Sequence, residues 1–333
     1  MYTDYYGLNE LPFELSPDPK YLLMTSHHRE ALANLQYGIT ARKSLTLLTG
    51  EAGTGKTTIV NAALASPACR DARIVHMSNS MLSRDEFIEF IARSFELSPE
   101  AEGSKTTMLR ELEQELRSRR AAGITTAMVI DEAQCLEREL LEEIRMLSNI
   151  ETPTEKLLPL VLVGQPEFSE RLNLPSLRQL KQRVALRCDL GTLSAAETAA
   201  YVAGRVRIAG GEASIMFTRE AIDEIFRGSR GIPRTISVIC DNALVNGFAT
   251  GTKPVGPDVI REVCRDFDLG EAKPMVVMSP VTPASPPPVQ AAPQVASPAE
   301  QAASQRATVT EADRPVDDPM FATFARKRRF SFF

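Results

Sequence analysis

Gly50-Glu51-Ala52-Gly53-Thr54-Gly55-Lys56-Thr57 follows an apolar run, Leu45 to Thr49 (LTLLT), and leads straight into a helical stretch, Thr58 to Ala65. A β-type run, a G-x4-G-K-T loop and a helix in series fit one chemistry. The glycines let the backbone wrap so that successive N–H groups converge on phosphate oxygens, and the helix N-terminus adds a positive dipole. Lys56 is then placed to neutralise β- and γ-phosphate charge, and Thr57 to offer its hydroxyl to Mg²⁺. ATP with Mg²⁺ is therefore the expected ligand, held by residues 50 to 58: Gly50, Glu51, Ala52, Gly53, Thr54, Gly55, Lys56, Thr57 and Thr58. A flexible glycine turn is the plain alternative, and the strand–loop–helix context argues against it.

Some eighty residues downstream, Met128-Val129-Ile130-Asp131-Glu132-Ala133-Gln134 is an apolar run ending in two adjacent carboxylates. Adjacent acids at a strand end can divide two tasks. Asp131 is placed to bind Mg²⁺ through its water shell, and Glu132 to reach past it and accept a proton from the water attacking the γ-phosphate. Alone, such a pair is read more simply as a charged helix start. Its occurrence with the glycine loop favours the catalytic reading.

Outward from these motifs, short β-type runs alternate with helical segments, the layout of an open α/β sheet. Leu45 to Thr49, Arg73 to Ser78, Ala127 to Ile130, Leu158 to Val163 and Val184 to Leu190 are the expected strands. Ser83 with Glu86, and Ser194 with Glu197, carry the capping-box spacing of helix starts. After Ser194 the strand pattern stops. Ser194 to Ala209, Thr218 to Phe226, Pro233 to Phe248 and Pro257 to Phe267 read as amphipathic helices of a small all-α subdomain. The expected fold class is thus α/β, a parallel sheet flanked by helices, followed by a helical lid. The boundaries drawn are 1–190 for the nucleotide-binding domain with its N-terminal extension, 191–270 for the lid, 271–320 for a linker and 321–333 for a terminal segment.

The linker is set off by composition. Ten of the chain's 22 prolines lie between Glu271 and Phe333, and no aromatic residue occurs from Glu271 to Met320, so a disordered tail is expected. It ends in FATFARKRRFSFF, where five phenylalanines accompany Arg326-Lys327-Arg328-Arg329. That combination suits an acidic, apolar groove on a partner protein or an anionic membrane surface. Across all 333 residues the net charge is −5, which supplies no general attraction for nucleic acid. Hydrophobic residues form 43% of the chain, yet no apolar run approaches the ~20 residues of a membrane-spanning helix. The opening MYTDYYGLNELPF has no basic segment before an apolar core, so a cytoplasmic protein is expected. Cys69, Cys135, Cys188, Cys240 and Cys264 lack metal-ligand or disulfide spacing and read as reduced, mostly packed thiols, Cys135 included. His27, His28 and His76 share no ligand spacing and read as ordinary surface or core histidines. Glu111 to Arg120 reads as a solvated helix face. Tyr21 to Met24 suits an adenine pocket and plain core packing equally.

These features together resemble the AAA+ P-loop ATPases, over about Tyr5 to Phe267. Within them, Tyr6-Gly7-Leu8, Leu11-Pro12-Phe13, Pro17-Asp18-Pro19, LTGEAGTGKTT, VIDEAQ and LVGQPE resemble the bacterial general secretion pathway A ATPases, relatives of the origin-recognition and transposition ATPases. Full-length members of that family add a membrane helix and a periplasmic wall-binding domain, and neither is expected from this sequence. The resemblance implies three further site residues. Gln165 stands where a polar sensor would contact the γ-phosphate or attacking water, although family members more often carry Asn, Ser or Thr there. Arg183 stands where an arginine finger would complete a neighbouring subunit's site, with Arg178 and Arg187 as rivals. Arg234, in Gly231-Ile232-Pro233-Arg234, stands where a lid sensor would meet the γ-phosphate.

The function so implied is an ATPase that couples Mg-ATP hydrolysis to homo-oligomerisation and to remodelling of a protein partner in a secretion or envelope polysaccharide system. The location expected is the cytoplasm, with peripheral contact at the inner membrane. Two other classes stay open: an ATP-dependent DNA-binding regulator of the transposition type, which is less favoured, and an adaptor whose nucleotide site only sets conformation.

Overall fold

The computed structural model describes residues 2–15, 19–21 and 23–269, so the expectations for 271–320 and 321–333 lie outside the described residues. Five apolar runs become parallel strands: β1 (Leu45–Gly50), β2 (Arg73–Met77), β3 (Thr126–Ile130), β4 (Leu160–Gly164) and β5 (Val184–Leu190). Their order across the sheet is β2-β3-β4-β1-β5. The register pairs Leu45 with both Leu160 and Val184, and Met128 with Leu160, so the carboxyl ends of the strands share one edge. β1, β3 and β4 are buried at every position, as unbroken apolar strands covered on both faces must be. The edge strands β2 and β5 contain exposed positions.

Helices enclose the sheet on both sides. After α1 (Tyr2–Tyr6), the helices α2 (Ser26–Thr40) and α3 (Lys56–Leu64) set Ala31, Leu35, Ile39, Ile59 and Val60 against Leu48, Val129, Val161 and Val163. α4 (Arg84–Ser94), α5 (Pro99–Glu102), α6 (Lys105–Ala121), α7 (Arg138–Leu147), α8 (Pro166–Arg171) and α9 (Arg178–Lys181) follow in sequence. They pack Phe87, Ile91, Leu112, Leu141, Ile144 and Phe168 on the opposite face, against Leu47, Met128, Ile130 and Leu162. Alternation along β1 and β4 divides their side chains between the two cores. Each fully buried leucine or isoleucine contributes roughly 1.5–3 kcal/mol, and truncating one to alanine costs about 2–5 kcal/mol.

The lid consists of α10 (Ala195–Ile208), α11 (Ala213–Met216), α12 (Arg219–Ser229), α13 (Pro233–Thr250) and α14 (Pro257–Asp266), with one isolated bridge between Phe217 and Val255. Both expected capping boxes form, at Ser83 with Glu86 and at Ser194 with Glu197. The lid's core also takes in Tyr2, Tyr6, Leu8 and Phe13 from the start of the chain. The Tyr2 hydroxyl donates to Asp241 Oδ1 at 2.5 Å, and the rings of Phe13 and Phe217 meet edge to face. The first residues, grouped by sequence with the α/β unit, therefore pack inside the lid. A five-residue helix cannot bury its own tyrosines, and α13 supplies the cover, with Tyr2 on Asp241 and the Tyr6 hydroxyl beside Gly247. Cys135 also departs from expectation: it is exposed, whereas Cys69, Cys188 and Cys240 are buried. It ends a short 3-10 turn (Ala133–Cys135) whose Ala133 occupies the core position instead.

Candidate active site

Because β1 ends in the glycine loop and β3 in the acidic pair, the strand order sets the two motifs two strands apart at one edge, with β4 between them. This is the crevice at the carboxyl ends of the strands where open α/β sheets bind ligands. The loop's shape depends on glycine at Gly53 and Gly55, whose φ angles are +83° and +96°. Thr54 tightens the bend by donating from its hydroxyl to the Glu51 carbonyl at 2.8 Å. Lys56 begins α3 and is buried, with Nζ donating to the Gly50 carbonyl at 2.8 Å and the Glu51 carbonyl at 3.0 Å. Burial lowers its pKa from the ordinary lysine value, against the opposing pull of Glu132 and Asp131.

Thr57 and Asp131 meet directly: Thr57 Oγ1 donates to Asp131 Oδ2 at 3.0 Å. Asp131 is fixed from several sides. Its N–H donates to Met77 O at 3.0 Å, the Ser80 hydroxyl donates to its carbonyl, and its Oδ1 accepts from Glu132 N at 2.9 Å. Glu132 has a left-handed backbone, φ +51°, and its carboxylate accepts from Gln134 Nε2. A non-glycine residue held in that region stores strain of about 1–3 kcal/mol and turns the side chain toward the loop.

A cleft of about 340 Å³ opens beside these groups. It is lined by Ala52 to Thr58, Glu132 and, from the lid, Arg234, whose N–H donates to Gly53 O at 3.1 Å. Its other walls are Glu14, Leu15, Tyr21, Leu23, His28, Leu193, Tyr201, Arg205, Pro233 and Ser237. Tyr21 and Leu23 thus join the cleft from a stretch the sequence left divided between pocket and core. Gln165 stands apart from the lining. It caps α8, and its N–H donates to Gln134 Oε1 at 3.1 Å. Arg183 immediately precedes Val184, which pairs with Leu45 at the start of β1, and so lies at the opposite sheet edge from its own loop. Arg178 opens α9 and Arg187 bonds the Ser169 hydroxyl, and neither lines the cleft.

Three cleft-side residues were not singled out for function by sequence. His28 is buried, contacts Thr25 Oγ1 through Nδ1 at 2.7 Å and hydrogen-bonds the Thr54 backbone; burial lowers its pKa. Arg205 donates to Tyr201 Oη at 2.6 Å, Ser237 Oγ at 2.9 Å and Glu14 O at 3.0 Å, with its guanidinium over the Tyr21 ring. One signal for it was present: a charge one turn after Tyr201, on the apolar stripe that includes Val202 and Val206. The third, Gln134, lay in the quoted VIDEAQ string, and local pattern assigns it no task.

Comparison with known proteins agrees with this geometry. Residues 39–172 match the family model described as AAA domain. General secretion pathway protein A of Aeromonas hydrophila is 41% identical over 255 residues, 77% of this chain and 46% of that protein, so the chain spans about half that relative's length. The structure of Cdc6p from Pyrobaculum aerophilum superposes with a TM-score of 0.58 at 19% identity, covering 77% of this chain and 70% of the other. ORC2 of Aeropyrum pernix, in its ADPNP-ADP complexes, gives 0.56 at 15% identity, covering 78% and 72%. A parallel sheet with a glycine loop, an acidic strand end and a helical lid over the crevice is the AAA+ P-loop architecture, and the chain belongs to the AAA+ family that includes general secretion pathway protein A.

Proposed function

We propose that this chain binds Mg-ATP in the cleft and hydrolyses it. The observation that carries the reading is the hydrogen bond from Thr57 Oγ1 to Asp131 Oδ2, which brings the loop's hydroxyl and the strand's carboxylate, 74 residues apart in sequence, to 3.0 Å. Two hard oxygen donors so placed fit Mg²⁺, which takes few protein ligands and completes its shell with phosphate and water. When bound, the metal supplies positive charge against the phosphates. The glycine loop and the start of α3 fit the triphosphate, and Lys56 would hold the β/γ end. In this reading Glu132 serves as the general base, Arg234 reads the phosphates from the lid, and Gln165 serves at the end of β4.

Arg183 cannot serve its own cleft from the far sheet edge. It is assigned to a neighbouring copy's site, which makes hydrolysis depend on homo-oligomerisation. The similarity to general secretion pathway protein A supports coupling this cycle to a protein assembly of a secretion system; an envelope setting at the cytoplasmic face of the inner membrane is part of the same proposal. Among the described residues no helix is long and apolar enough to cross a membrane.

The test separates binding from chemistry. Lys56→Ala should weaken binding of a fluorescent ATP analogue, whereas Glu132→Gln should keep binding and lose turnover on the order of 10²-fold or more. Full phosphate release by Glu132→Gln would remove Glu132 as base.

A further inference from the structure

Glu132 is exposed, and a glutamate with three free side-chain torsions is a poorly aimed base. What holds it is Gln134. The Gln134 amide has one end on each side of the site: Nε2 donates to Glu132 Oε2, and Oε1 accepts from the Gln165 N–H at 3.1 Å. Chemistry fixes which end is which, because a carboxylate must meet the NH₂ and a backbone N–H must meet the oxygen. Gln134 is itself pinned, since Arg171 Nη1 donates to its carbonyl at 3.1 Å. The end of β4 also leaves room for it: a Cβ at Gly164 would stand 3.1 Å from Gln134 Oε1.

We propose that Gln134 is a positioning residue for hydrolysis, an amide strut that ties the Glu132 carboxylate to the end of β4 and leaves Glu132 Oε1 free to take the proton from water. The proposal rests on Glu132 being the base. Gln134 has no contact with the phosphates in this assignment, so its loss should lower turnover and spare nucleotide affinity. The strut also links the end of β4, and through Arg171 the helix α8, to the reacting centre.

The experiment uses the full chain, with two substitutions of Gln134 and, beside them, variants of Glu132. Gln134→Met keeps the length and shape of the side chain without its polar ends. Gln134→Glu keeps an acceptor for Gln165 N–H but sets a carboxylate against Glu132. Gln134→Met is expected to lower kcat on the order of 10²-fold, as a misplaced catalytic group does, with KM and analogue affinity within about twofold of wild type. Gln134→Glu should lose at least as much. Adding Gln134→Met to Glu132→Gln should cost nothing further, because the strut then has no base to aim. Retained affinity for the analogue shows that the variants are folded.

A second readout needs no turnover: the side-chain NH₂ signal of Gln134 in an ¹⁵N-glutamine-labelled, nucleotide-free sample, assigned by its disappearance in Gln134→Met. Glu132→Ala should displace that signal. Wild-type kcat in Gln134→Met, a loss that multiplies with Glu132→Gln, or an amide signal indifferent to Glu132→Ala would each overturn the proposal. Full turnover in Glu132→Gln would instead overturn the base assignment, and is told apart because the amide signal would still respond to Glu132→Ala.

Discussion

Gly53 meets two demands at once. Its φ of +83° lies where other residues are strained, and a Cβ there would come within 2.7 Å of Arg234 Cβ. The loop and the lid touch at this point, so Gly53→Ala should disturb both. The expected outcome is nucleotide affinity lowered at least tenfold, about 1.4 kcal/mol, by titration with a fluorescent analogue. His28, behind the same loop, supplies a pH dependence. Burial holds its pKa below the ordinary 6.5, so the unfolded chain takes up a proton before the folded one does. Its contribution to stability is complete above 6.5 and falls as pH drops from there through the folded-state value. Wild type should therefore lose more stability than His28→Gln between about pH 7 and pH 5, read from denaturant midpoints. At this scale the loop and the acidic pair were legible because their chemistry is contiguous in sequence. His28, Arg205 and Gln134 were not, because what distinguishes them is a partner far away along the chain: Thr54, Glu14 and Gln165.

Among the elements, strand β5 occupies Val184–Leu190 as expected, and the other four strands fall within two residues of expectation, because period and composition are local properties. The short helices α1 and α11 were missed, since four or five residues carry no readable helical period. The capping box of α10 has a consequence beyond its own end, for that helix carries Tyr201 and Arg205 into the cleft. Ser194 Oγ accepts from Glu197 N, and the Ser194 N–H donates in return to Glu197 Oε2 at 2.9 Å. Ser194→Ala should cost about 1 kcal/mol of stability in urea denaturation, the usual loss for a removed cap. A weaker affinity for nucleotide should accompany it. A change in midpoint with affinity unmoved would show that the cleft does not depend on how α10 begins.

For the molecule as a whole, Arg183 at the far sheet edge predicts cooperation between copies. Inactive Arg183→Ala and inactive Glu132→Gln proteins, once mixed, should regain part of the turnover, because a mixed pair can join an intact arginine to an intact base. No recovery across mixing ratios, with mixed oligomers shown to form, would count against Arg183 and turn attention to Arg178 and Arg187. The N-terminal segment makes a second prediction. Deleting residues 2–13 removes Tyr2, Tyr6, Leu8 and Phe13 from the lid core, a loss of roughly 6–12 kcal/mol at 1.5–3 kcal/mol each. The lid should then exchange amide hydrogens freely while the sheet stays protected. Composition could mark those aromatics as core material but could not say which core, since the partners in α13 lie more than two hundred residues on. That distance also has a meaning in time. Tyr2 and its partner Asp241 are separated by 239 residues. At ribosomal rates of 5–20 residues per second, roughly ten to fifty seconds pass between their syntheses. The last strand ends at Leu190, 51 residues and roughly three to ten seconds before Asp241, so for that final interval Tyr2 and Tyr6 wait, uncovered, beside a completed sheet. Nascent chains stalled between residues 190 and 240 should be the ones a chaperone holds longest.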